Sequence, residues 1–150
     1  MKDRALLLAV CLVLVDQALK AVVERVIPVG YSIPVVPGIL SFTHVVNPGL
    51  AFGLFRDVPP VVAVLLTLTT LLAFLSNSYR WRGGRMGIAF SLILGGALGN
   101  LLDRLRVGHV VDYLDLRFWP VFNVADVAVT LGMVLLLVRI GYSQKQGGAA

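Results

Sequence analysis

The chain has 150 residues, of which 58% are hydrophobic and only 14% are charged, and its mean hydropathy is +0.89. The length suits one domain, but this hydropathy excludes an ordinary soluble core and indicates a membrane protein. Basic residues outnumber acidic ones and give a net charge of +5, which needs no nucleic-acid partner to explain it.

Four apolar stretches predict four transmembrane helices, since about 20 helical residues cross a hydrocarbon core of about 30 Å. The predicted spans are 5–26, 58–75, 86–105 and 122–142. We expect the first span to stay in the protein, because Val10 is β-branched where a lipoprotein cleavage site has a small residue, and three spans follow it. Cys11 is the only cysteine, so an intrachain disulfide is excluded, and we expect it to face lipid or fill a packing gap.

The basic residues predict the orientation of these spans, with both termini cytoplasmic. Seven of them lie at the two ends or between spans two and three, against six on the other side, and the cluster "YRWRGGR" at 79–85 is the stronger signal. Both longer connections, 27–57 and 106–121, are then extracytoplasmic. Proline, glycine and alternating pieces such as "ILSFTHVV" in the first connection predict a small sheet, and the aromatic residues of the second fit an interfacial belt.

The third span contains the string "GGALGN". Gly95 and Gly99 are four residues apart, which is the small-xxx-small spacing that lets two helices approach closely in lipid. We interpret these glycines as packing residues that shape a site rather than act in it.

Polar residues occur inside three of the spans, where an ionisable group costs about 2.5 to 3.5 kcal/mol and so needs a partner or a purpose. Asp16 and Lys20 have the i, i+4 spacing at which opposite charges meet. Two further groups each share one helix face, namely Asn100, Asp103 and Arg104 on the third span and Asn123, Asp126 and Thr130 on the fourth. All lie near the predicted outer ends of their helices, which indicates one site.

Two acids differ from the others. Asp16 has Lys20 within reach and Asp103 has Arg104, so these can be self-neutralising structural pairs, whereas Asp112 and Asp126 have no basic residue at helical spacing. If Asp112 and Asp126 lie close together, one holds a proton while the other stays ionised, and such a pair can activate water and protonate a leaving amine. The residues alone leave a cation or proton pathway equally open.

Five motifs in order resemble the lipoprotein signal peptidases, also called signal peptidase II, from end to end. They are "VDQALK", "NPGLAFGLF", "GGALGNLLDR", "GHVVDYLDL" and "FNVADVAVTLG". The resemblance implies an intramembrane aspartyl endopeptidase of the bacterial inner membrane, which cuts diacylglyceryl-modified prolipoproteins just before the lipidated cysteine. It implies an all-α membrane protein with four transmembrane helices, a small extracytoplasmic β-sheet and a short extracytoplasmic helix.

The same resemblance implies site residues, motif by motif. Asp112 and Asp126 match the catalytic pair, and the matching supporting positions are Asp16, Lys20, Asn47, Gly49, Asn100, Asp103, Arg104, Asn123 and Ala125. The expected partners are prolipoprotein substrates and membrane lipids, acting on a monomer, with the dyad near the extracytoplasmic face. No cofactor or metal is expected, and we assign His44 and His109 to surface or packing roles.

Two departures from the family pattern concern the substrate rather than the reaction. Leu50 replaces a common alanine, and Val127 replaces a common hydroxyl residue after the second catalytic position. Two other classes of function are a proton-coupled transporter, which would need polar residues through the full depth of the bilayer, and a non-catalytic lipid-binding or assembly subunit.

Overall fold

The computed structural model describes residues 2–48, 60–76 and 84–147. Its elements, in chain order, are α1 Lys2–Val26, β1 Ser32–Val36, β2 Leu40–Asn47, α2 Pro60–Ser76, α3 Gly84–Val107, β3 Val110–Asp115 and α4 Val124–Gly147. Each predicted apolar stretch therefore forms a helix, and the largest difference in bounds is at the end of α4, which reaches Gly147 instead of 142. Within the described residues, Arg4–Val26 and Met86–Val107 are long and apolar enough, by length and composition, to cross a membrane.

Glycines in α3 determine how the helices pack. A Cβ on Gly95 would lie 2.9 Å from the carbonyl oxygen of Ala9 on α1, and one on Gly96 would collide with the carbonyl oxygen of Ala125 on α4. Gly99 faces both neighbours at once, because its closest contacts are Asp16 on α1 and Ala125 on α4. The prediction that Gly95 and Gly99 allow close helix packing is confirmed, and α3 is the helix that α1 and α4 share.

The apolar side chains divide between an interior and an outer surface. One buried cluster joins α1, α2 and α3 through Ala9, Leu71 and Leu94. Many large aliphatic side chains point outward instead, such as Leu14 on α1, which is 63% exposed. Cys11 is also exposed, as the lipid-facing interpretation predicts. Exposed aliphatic surface of this extent is typical of helices covered by lipid or protein.

The sheet is antiparallel in the order β1-β2-β3. Strand β2 confirms the strand predicted from "ILSFTHVV", and Gly38, with φ of 76°, lies in the turn that joins it to β1. Strand β3 was not predicted. It is buried on both faces and therefore lacks the alternation that identifies a half-buried strand.

Strand β3 reaches the helices through a second cluster, in which Val111 and Tyr113 pack against Val23 and Ile27 at the end of α1. The described parts of the two predicted connections contain no short helix. Positions 49–59, including Gly49 and Leu50, lie outside the described residues.

Candidate active site

Lys20 lies at the centre of a buried polar network, with its side chain fully buried. Its ammonium group is 2.8 Å from Oδ2 of Asp16, 2.7 Å from Oδ2 of Asp103 and 2.9 Å from Oδ1 of Asn100. An ammonium group has three N–H donors, so each donor has one acceptor. The predicted i, i+4 pair is confirmed, and Asp103 has an ion-pair partner on α1 that we did not predict from the sequence.

Asp16 connects α1 to the first turn of α4. Its Oδ1 accepts a hydrogen bond of 3.1 Å from the backbone N–H of Ala125, while Oδ2 faces Lys20. This contact explains why position 125 belongs to the site although alanine has no polar side chain. The close approach depends on Gly99, since a Cβ there would lie 2.6 Å from Oδ2 of Asp16.

Gln17 belongs to the same network and was missed by sequence reasoning. Its amide donates to Oδ1 of Asp103 at 2.9 Å and to the carbonyl oxygen of Gly99 at 3.1 Å. The signal that could have identified it is the third polar residue in "VDQALK", an amide between two charged residues of an apolar helix.

The carboxylate of Asp112 is held by amide groups from two other segments. The backbone N–H of Val111 donates to Oδ2 of Asp103 at 3.1 Å, which fixes the start of β3 against α3. Asp112 itself is 1% exposed and accepts 2.7 Å hydrogen bonds from Asn47 at the end of β2 and from Asn123. Each of these donors contacts a different carboxylate oxygen.

Asp126 is fixed by the start of α4, where Asn123 and Asp126 form a reciprocal capping pair. Oδ1 of Asn123 accepts from the backbone N–H of Asp126 at 2.9 Å, and Oδ2 of Asp126 accepts from the backbone N–H of Asn123 at 3.3 Å. The other oxygen, Oδ1 of Asp126, accepts a 2.7 Å hydrogen bond from Asn100 on α3. Helix capping and site geometry therefore depend on the same residues.

Asn123 joins the two acids, because its side-chain amide donates to Asp112 and its backbone N–H to Asp126. The structure thus brings together nearly all the residues predicted from the sequence, from α1, β2, β3, α3 and α4. Arg104 is adjacent, with its guanidinium 3.4 Å from the carbonyl oxygen of Asn100. Thr130 is the exception on α4, because it is exposed and does not share the buried face of Asp126.

Burial and like charge change the acidity of this pair. Loss of hydration raises the pKa of Asp112 to about 7, the charge of Asp126 adds to the effect, and the amide donors of Asn47 and Asn123 act against it. A carboxyl group with such a pKa exchanges a proton readily near neutral pH. The arrangement can therefore hold one protonated and one ionised carboxyl group.

The histidines lie outside this network. Nδ1 of His44 is 2.7 Å from the carbonyl oxygen of Ile27, and its buried side chain supports the predicted packing role. Within the part of the chain that the structure describes, no group of three or more His, Cys, Asp and Glu could hold a metal ion. Val127 is 38% exposed, unlike its neighbour Asp126, which is directed into the network.

Comparison with known proteins identifies relatives over almost the whole chain. Residues 8–142 match the family model described as "Signal peptidase (SPase) II". The chain is 46% identical over 125 residues to a lipoprotein signal peptidase of Pelotomaculum thermopropionicum, with 82% of each chain covered. It is 40% identical over 136 residues to a lipoprotein signal peptidase of Halothermothrix orenii, and the alignment covers 90% of this chain and 93% of that protein.

Two solved structures, both described as bacterial membrane enzymes, have the same fold. One has a TM-score of 0.90 at 29% identity and covers 96% of this chain and 91% of its own. The other has a TM-score of 0.83 at 31% identity and covers 92% of both chains. Given this match of sequence and fold, the chain belongs to the signal peptidase II family of peptidases.

Proposed function

We propose that the protein is an intramembrane aspartyl endopeptidase that removes the signal peptide from diacylglyceryl-modified bacterial prolipoproteins, cutting just before the lipidated cysteine. The observation on which the proposal depends is the pairing of Asp112 and Asp126 through Asn123, with every carboxylate oxygen accepting an N–H. The names of the relatives support the substrate class.

The pair performs the reaction by exchanging protons with water and substrate. The ionised carboxylate takes a proton from water as the oxygen attacks the scissile carbonyl carbon, and the protonated carboxyl donates to the carbonyl oxygen. The resulting gem-diol collapses when the C–N bond breaks: the carboxyl group that took the proton from water gives it to the leaving amine, and the other carboxylate regains its proton from a gem-diol hydroxyl. Because the two acids interact, they titrate as a pair with shared macroscopic pKa values.

The proposal places the four helices across the inner membrane, with both termini cytoplasmic and the dyad near the extracytoplasmic face. Two features support this placement. The site lies where α3 ends and α4 begins, next to the small sheet, whereas in the sequence the basic cluster at 79–85 runs up to the first residues of α3. Membrane lipids would cover the exposed aliphatic side chains of a monomer, and Gly49 and Arg104 would support substrate binding.

Cleavage of a synthetic diacylglyceryl prolipopeptide by the purified protein tests the proposal. We expect Asp112→Asn and Asp126→Asn each to abolish cleavage. Asp115→Asn is the matched control, because Asp115 is also on β3 but contacts Thr43 and Arg117 rather than the dyad. Turnover that persists in either dyad variant contradicts an aspartyl mechanism, and a wild-type protein without turnover favours a transporter or a lipid-binding subunit.

A further inference from the structure

Lys20 determines the orientation of the Asn100 side chain. An asparagine amide can present either its oxygen or its NH₂ group in a given direction, and its orientation follows from its neighbours. The ammonium of Lys20, 2.9 Å from Asn100, can only donate, so it requires the oxygen on its own side. The NH₂ group of Asn100 must then face Oδ1 of Asp126, where the distance is 2.7 Å.

The second oxygen of Asp126 also faces a donor that cannot reverse, because the backbone N–H of Asn123 lies 3.3 Å from Oδ2. Hydrogen bonds donated to both oxygens favour the ionised form of a carboxyl group. Asp112 also accepts at both oxygens, at 2.7 Å each, but it shares one of its donors with other acceptors. The NH₂ group of Asn123 that contacts it also lies 3.1 Å from Oδ1 of Asn100 and 3.3 Å from the carbonyl oxygen of Val111.

We infer that Lys20 is a positioning residue for the reaction: by orienting Asn100 it keeps Asp126 ionised as the group that takes the proton from water, and leaves the proton on Asp112. The inference rests on the proposed function and extends it, because it assigns a separate task to each acid. Lys20 does this without touching either member of the dyad.

Other charges face the same groups and limit the size of the effect. Asp126 interacts electrostatically with Lys20 and Asp16 on α1. It also interacts electrostatically with Arg104 on α3 and with Asp112 on β3. Lys20 itself faces Asp16 and Asp103. Arg104 remains near the dyad when Lys20 is replaced, so we expect a displaced pH profile rather than complete inactivity.

The test is the pH dependence of kcat for cleavage of the diacylglyceryl prolipopeptide. Lys20→Gln removes the cation, and we expect the acidic limb of the profile, which reports formation of the ionised base, to move to higher pH by about one unit or more. Arg106→Gln is the matched control. Arg106 is a half-exposed cation that pairs with Glu24 and lies 3.8 Å from Asp103. In this variant we expect the midpoint of the acidic limb to stay at the same pH.

Asn100→Asp is the second variant, and it tests the inference if Lys20→Gln does not fold. Its carboxylate can still accept from Lys20, but it offers no N–H to Asp126 and adds a negative charge, so the acidic limb should again move to higher pH. A purely structural Lys20 would lower kcat equally at all pH values, and unmoved acidic limbs overturn the inference. Wild-type protein without cleavage contradicts the proposed function, whereas cleavage with unmoved limbs contradicts the inference alone.

Discussion

Gly99 on α3 leaves the space that the carboxylate of Asp16 on α1 occupies, because a Cβ at position 99 would lie 2.6 Å from Oδ2 and 3.2 Å from Cγ of Asp16. Gly99→Ala must therefore displace Asp16, which also holds the backbone of Ala125. We expect the free energy of unfolding to fall by about 1 to 3 kcal/mol, with loss of peptidase activity. Thermal unfolding in detergent and a cleavage assay measure the two effects.

Gly141→Ala is the control for this prediction. A Cβ at Gly141, on α4, would meet nothing within 4 Å, so alanine should leave activity unchanged and stabilise the helix by up to about 1 kcal/mol. Equal effects of the two substitutions would show that space beside Asp16 is not the reason for a glycine at position 99.

Gln17 should contribute to stability although it lies away from the dyad. Gln17→Leu removes the hydrogen bonds to the buried Asp103 and to the carbonyl oxygen of Gly99. We expect a loss of about 1 to 3 kcal/mol in the free energy of unfolding, because a buried carboxylate loses a donor. Thr69→Ala is the control, because it removes an exposed hydroxyl that is hydrogen-bonded within its own helix. It should change the free energy of unfolding by less than about 0.5 kcal/mol.

Asn47 should affect the alkaline limb of the pH profile of kcat. Its amide donates to Oδ2 of Asp112 and favours the ionised form, so Asn47→Ala should raise the pKa of Asp112 above about 7. If Asp112 is the protonated member, the alkaline limb of kcat moves to higher pH. Ser32→Ala, an exposed position on the same sheet, is the control. Movement of the acidic limb instead would reverse the assignment of the two acids.

The raised pKa of Asp112 also predicts how stability depends on pH. Burial raises this pKa from 3.8 to about 7, so between about pH 4 and pH 7 the folded protein holds a proton that the unfolded chain has released. Stability from this group is therefore complete below about pH 4 and is lost as pH rises towards 7, by about 4 kcal/mol at most.

The difference in unfolding free energy between wild type and Asp112→Asn, measured from pH 4 to pH 8, tests this linkage. We expect the wild type to lose stability relative to the variant as pH rises. The change with pH is the informative quantity, since asparagine also alters the hydrogen bonds to Asn47 and Asn123 at every pH. A difference that is constant over this range would contradict the raised pKa.

Local pattern was sufficient to predict the parts of the fold that depend on neighbours in the chain. Long apolar runs predicted the four helices, alternation predicted β2, and i, i+4 spacing predicted the pair of Asp16 and Lys20. Strand β3 could not be predicted this way, because burial on both faces removes the alternation of polar and apolar residues.

Contacts between distant segments were harder to predict. Asp103 and Gln17 meet across the interface of α1 and α3, and nothing in either local pattern specifies that register. Thr130 is four residues after Asp126 and was therefore predicted to share its helix face. In the structure the side chain of Thr130 is exposed, because the buried face of α4 does not extend to this position. The motif resemblance, rather than spacing, identified Asn47 as a site residue, whereas helical spacing had already grouped Asn123 with Asp126.

The three acceptors around Lys20 have a consequence for biogenesis. Asp16 is made before Lys20, but Asn100 and Asp103 belong to α3, and Asn100 follows Lys20 by 80 residues. When synthesis of α1 is complete, Lys20 therefore has only one of its three acceptors, Asp16, in the chain made so far. All three N–H donors of the ammonium group have acceptors only once α3 packs against α1, so we expect Lys20 to reach its buried, fully hydrogen-bonded state when the bundle is completed and not when α1 alone has formed.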